Sequence, residues 1–172
     1  MKKFVKLFAI MLCAVVATAA LVGCGANTVP LTEENVAGKW ELTYATYTPH
    51  AQSEYAADTC TKAEWEALAA NTHRTQAEDT KFDIFEDKFY TYELRANHKI
   101  YVWFEGTAYE QNNASWAIED GQLTFTGKLN GVTIDSVTWD NGVVKVTYSE
   151  TPEQSGIPGT FVFTLEKVVE TA

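Results

Sequence analysis

The sequence predicts an antiparallel all-β protein closed into a barrel of eight strands, or nine if residues 81–86 form a separate one, with a short helix after the first strand. Three observations predict it. From Val36 onward apolar residues recur with a period of two rather than 3.6. Short segments rich in Gly, Asn and Asp separate the alternating runs. Across 172 residues, hydrophobic types make up 46% and aromatics 13%, which is enough apolar surface for a packed core and excludes disorder over most of the chain. Closure is expected because a barrel of that strand number leaves no edge free to pair with another chain.

In the first strand Trp40, Leu42 and Tyr44 alternate with Glu41 and Thr43. Tyr90, Tyr92 and Leu94 form the next run, and Ile100, Val102 and Phe104 the one after, with residues 95–99 as the loop between them. Trp116 and Ile118 lead into Asp120-Gly121, and Leu123 and Phe125 resume the alternation. That dipeptide favours a tight hairpin, because glycine reaches positive φ without steric cost. Residues 132–139 and 143–148 are joined by Asp140-Asn141-Gly142, the strongest hairpin signal in the chain. The last strand places Phe161, Phe163 and Leu165 on one face and Thr160, Val162 and Thr164 on the other.

Residues 48–80 interrupt this pattern. Within them Thr61 and Glu64 have the spacing of a capping box, Cys60 and Trp65 that of a hydrophobic staple, and Leu68 and Ala69 continue a helical period. A helix of about three turns, ending near Asn71, is expected there. The staple makes Cys60 a small buried hydrophobe rather than a reactive thiol.

The chain starts with Lys2, Lys3 and Lys6, then an apolar run over residues 7–21 broken only by Thr18, then small residues. That is the three-part layout of a secretory signal peptide over residues 1–23. Its end, Leu21-Val22-Gly23-Cys24, resembles the bacterial lipobox. The resemblance implies cleavage before Cys24 and acylation of its thiol by fatty chains such as palmitate. At about 0.8 kcal/mol per buried methylene, two or more chains give a lasting anchor where one is marginal. The competing reading is an uncleaved membrane anchor, since no charge lies between Lys6 and Glu33. The Gly, Ala, Asn, Thr and Pro residues after Cys24 speak against it. Residues 24–35 lack periodicity and read as a tether reaching at most about 40 Å, and residues 36–172 as the barrel domain. With Cys13 in the leader and Cys24 acylated, Cys60 would have no disulfide partner within the chain.

The 13 basic and 23 acidic residues give a formal charge of −10, and loss of the leader's three lysines would deepen it to −13. Such a surface repels nucleic acid and anionic lipid, so no nucleic-acid partner is expected.

Gly38-Lys39-Trp40 at the start of the first strand matches the Gly-X-Trp that opens lipocalins and related calycin barrels. Residues 116–125, Trp-Ala-Ile-Glu-Asp-Gly-Gln-Leu-Thr-Phe, resemble a hairpin repeated in lipocalin-like bacterial lipoproteins, and residues 161–167 resemble their last strand. The resemblance implies an up-and-down, lipocalin-like barrel, with Trp40 plugging one end and residues 48–80 lying across the other. Two positions depart from the pattern. His98 stands where a turn glycine is usual, and Ala114 where a second Gly-X-Trp glycine would sit.

No enzymatic chemistry is expected. His50, His73 and His98 lack the paired spacing of a zinc site, and Asp83, Glu86 and Asp87 lack the alternate oxygens and central glycine of a calcium loop. Neither a nucleophile elbow, a phosphate-binding glycine loop nor a CxxC pair occurs, so neither a metal nor a cofactor is expected. Aromatics are the remaining clue. Trp40, Tyr44, Tyr92, Phe104, Trp116 and Phe125, with Tyr90, are candidates for one inner face, either as a filled core or as the wall of a site for one small ligand.

The expected function is therefore a membrane-tethered extracytoplasmic lipoprotein of the bacterial envelope that binds a small apolar or amphiphilic molecule, with residues 48–80 as a lid. The alternative is a non-catalytic module that docks a protein or envelope polymer through Tyr47, Tyr55 and Tyr101.

Overall fold

A computed structural model describes residues 28–50, 56–151 and 158–169. The leader, Cys24 and Tyr55 lie outside the described residues. Among them the strands are β1 (Gly38–Pro49), β2 (Asp58–Thr61), β3 (Thr91–Leu94), β4 (Lys99–Phe104), β5 (Thr107–Glu119), β6 (Gln122–Thr126), β7 (Lys128–Leu129), β8 (Val132–Asp140), β9 (Val143–Glu150) and β10 (Gly159–Lys167). The helices are α1 (Glu33–Val36), α2 (Lys62–Ala70) and α3 (Gln76–Phe85).

The strands form one antiparallel sheet in the order β6-β5-β4-β3-β1-β10-β9-β8-β7, with β2 added to the second half of β1. First and last strands meet as expected, with Trp40 opposite Lys167 and Leu42 opposite Leu165. β6 comes round beside β8 and nearly closes the ring, so the seam falls in mid-sequence rather than at the chain ends.

Local chemistry explains the turns. Asp120 and Gly121 have φ of 50° and 74°, and Asn141 and Gly142 of 50° and 87°, the doubly left-handed pattern that matches the twist of a two-residue hairpin. His98, at φ 64°, occupies the left-handed position of the β3–β4 loop without disturbing the pairing of Leu94 with Ile100.

Two expectations are corrected. Residues 81–86 are not a ninth strand, because they lie in α3 and its C-cap. Phe82 and Ile84 fit either period over so short a run, and the capping box of Thr75 and Glu78 decides for the helix. Tyr44 does not face inward: it is 37% exposed. The ladder between β1 and β10 shifts between Leu42 and Tyr44, so Ala45 and Tyr47 take the inner positions instead.

α2 forms where expected, with the Thr61–Glu64 capping box complete and Asn71 as C-cap. Bonds from the Thr61 backbone and hydroxyl hold the Glu64 carboxyl below its ordinary pKa, as those from Thr75 do for Glu78. Trp65 of α2 stacks on Phe82 of α3 and on Phe89, with ring centroids 6.2 and 5.8 Å apart, and Arg74 lies 4.1 Å from the Phe82 centroid. This packing fixes α3 beside the barrel. Cys60 is fully buried, and burial pushes its thiol up to about 11, which makes it a poor nucleophile near neutral pH.

The end of the segment read as a tether is held against the barrel. Trp139 Nε1 donates to the Val29 carbonyl at 3.1 Å, and the Val29 N–H donates to Asn141 Oδ1 at 2.6 Å. Lys167 Nζ donates to the Glu34 and Asn35 carbonyls of α1 at 3.1 and 2.9 Å. α1 thereby lies over one end of the barrel, where Val36 and Trp40 are fully buried. The core extends from there through Leu42, Ile100, Val144 and Leu165 to an aromatic group of Tyr47, Tyr148, Phe161 and Phe163.

Candidate functional site

The end of the barrel away from Trp40 encloses a cavity of about 380 Å³. Its apolar wall comes from Leu129, Val132, Ile134, Val146, Phe163 and Leu165, inward-facing residues of β7 to β10. Three tyrosines line it as well: Tyr90, Tyr92 and Tyr148. Charged residues form the rim, with Asp83, Glu86, Asp87 and Lys88 from the end of α3 and beyond, and Glu150 from the end of β9. Asp87 is exposed and Asp83 and Glu86 half-exposed, so this is where the cavity meets solvent.

The three tyrosines differ in their surroundings. Tyr148 is 3% exposed; burial, reinforced by the charge of Glu150, raises its pKa far above the ordinary value, so its hydroxyl remains a donor. Tyr90 is raised by burial and then by Asp87, whose carboxylate accepts its hydroxyl. Tyr92 is 5% exposed and also strongly raised by burial, yet its hydroxyl has no hydrogen-bond partner among the described residues. A hydroxyl sealed in an apolar wall without a partner costs about 1–3 kcal/mol. On the cavity surface, a water or a ligand can satisfy it.

Lys88 Nζ sits 2.7 Å from Glu150 Oε2 and 5.5 Å from the centroid of Phe161. Both partners are largely covered, and the pair ties the chain after α3 to the rim of the barrel.

Of the residues expected on the inner face, the cavity brings together Tyr92 and Tyr90. Trp40 is buried at the opposite end, its ring edge-on to Trp139 at 5.8 Å. Trp116 is buried beneath His98, its Nε1 donating to the Arg95 carbonyl at 2.9 Å, and it serves the core. Phe125 packs half-buried against that core without reaching the cavity. Phe104 is 52% exposed at the end of β4, where the turn into β5 lifts it away from the inner face. None of the described residues between 48 and 80 lines the cavity: among the described residues the covering segment begins at Asp83.

Tyr148 and Phe163 were legible as inward positions of alternating strands. The acidic rim was not, because α3 and β9 meet only in the folded chain. Of the aromatics weighed for docking, Tyr47 is 1% exposed and Tyr101 lies under the Arg95 guanidinium at 3.7 Å, so neither offers a free surface. Among the described residues, no helix is long and apolar enough to cross a membrane.

No protein-family model, curated protein or solved structure matches this chain.

Proposed function

We propose that the chain is a lipid-anchored protein of the bacterial cell envelope whose barrel binds one small apolar or amphiphilic molecule in the cavity capped by the end of α3. The observation that carries this reading is a cavity of about 380 Å³ with an apolar wall, lined by Tyr92, whose hydroxyl has no hydrogen-bond partner among the described residues. That volume is in the range of small-molecule sites. The leader and the lipobox-like residues 21–24 support export and anchoring. The Gly-X-Trp opening and the meander of strands support a lipocalin-like relation.

Native mass spectrometry of the protein purified from its own cell tests the reading. An adduct that solvent extraction removes, and that Ile134→Trp abolishes while the protein stays folded, is expected. A bare chain with an empty solvent extract would count against it. For the anchor, Cys24→Ala is expected to abolish incorporation of labelled palmitate and release the protein from membranes. Unchanged labelling would refute acylation at that residue.

A further inference from the structure

We propose that the molecule held in the cavity is an organic cation: an apolar body among the strands, with an amine or quaternary ammonium group set between the tyrosines and the carboxylates of the rim. This rests on the cavity being a ligand site and adds the class of ligand. The rim carries four carboxylates, Asp83, Glu86, Asp87 and Glu150, against one ammonium, Lys88. Lys88 is already engaged by Glu150 at 2.7 Å, which leaves the three carboxylates around the end of α3 without an ion-pair partner among the described residues.

Their position is unfavourable for the helix itself. A helix C-terminus bears partial negative charge and is stabilised by cations, yet the last turn of α3 contains Asp83 and no basic residue, and Glu86 and Asp87 follow directly. Folding alone would favour the opposite sign, and a bound cation would reverse the penalty. The second, independent feature is the wall below the rim. Tyr92 presents a hydroxyl oxygen that accepts no hydrogen bond among the described residues, and Tyr90, Tyr148 and Phe163 supply aromatic rings, the surroundings in which ammonium groups are held by ring faces and oxygen acceptors.

An anionic amphiphile such as a fatty acid would have to bring its carboxylate among these acids. A metal ion fits poorly, since among the described residues no three His, Cys, Asp or Glu side chains gather closely enough to hold one. A bulky organic cation needs only a diffuse negative field and an apolar seat.

The test uses three probes of equal chain length, decyltrimethylammonium, decanoate and decanol, titrated calorimetrically into residues 25–172. This segment contains every described strand pairing and core residue. The ammonium is expected to bind at least about tenfold more tightly than decanoate at low salt, with the preference shrinking as salt is raised. In the triple variant Asp83→Asn, Glu86→Gln, Asp87→Asn the ammonium's advantage over decanoate should vanish, while bound decanol shows that the cavity is still formed. Decanol bound without any preference for the ammonium in the unmodified chain would overturn the cation assignment and leave the cavity reading intact. Failure of all three probes to bind would overturn both.

Discussion

Replacing Trp40 by alanine is expected to destabilise the domain by about 4 kcal/mol, a large share of the roughly 5–15 kcal/mol available to a domain of this size. Trp40 is fully buried and stands in β1 between Tyr92 of β3 and Lys167 of β10, so its ring fills the end where three strands converge. Its Nε1 donates to the Val36 carbonyl at 2.8 Å, which ties α1 across that end. Removing the indole leaves both a cavity and an unsatisfied carbonyl. Trp40→Phe separates the two losses, since it keeps most of the volume and should cost about 1–3 kcal/mol for the bond. Urea unfolding followed by circular dichroism measures both. A loss below about 1 kcal/mol for the alanine variant would mean that this end of the barrel does not depend on the plug.

Gly127→Ala is expected to cost about 2–4 kcal/mol, well beyond the penalty of its backbone angle alone. Gly127 has φ of 83° and links β6 to β7, and a Cβ there would lie 1.9 Å from the Asn113 carbonyl oxygen and 2.9 Å from the Ala114 Cα. Those are backbone atoms of β5, which cannot swing aside as a long side chain could. Gly131, with the same φ of 83° and nothing within 4 Å, is the control. Gly131→Ala should lose only about 1–2 kcal/mol, the cost of the left-handed conformation. Thermal unfolding of the two variants measures the difference. Equal losses would show that β5 and the β6–β7 link do not approach so closely in solution.

The contrast between these glycines marks where sequence reading stops. Both look like turn residues, and only the position of β5 makes one of them indispensable. The same holds for Tyr44. Alternation from Trp40 places it inside, but one irregularity in the pairing with β10 reverses the parity from that point, and nothing within β1 announces it. The helix α3 is a different case, because Thr75 and Glu78 form a capping box in the sequence as plain as that of Thr61 and Glu64. There the apolar spacing of Phe82 and Ile84 concealed a local signal that was present.

What the sequence determined by itself is the set of features governed by a few neighbouring residues. These are the hairpins at Asp120-Gly121 and Asn141-Gly142, the capped start of α2, the two-faced strands, and hence a barrel whose first and last strands pair. Each follows from steric preference, local hydrogen bonding or side-chain alternation, which act within a few residues. Tertiary structure alone decided which residues wall the hollow end, where the seam falls, and that carboxylates from α3 and β9 share one rim. Those outcomes depend on contacts between segments more than sixty residues apart, such as Lys88 with Glu150, and no local preference encodes the meeting of such distant parts of the chain.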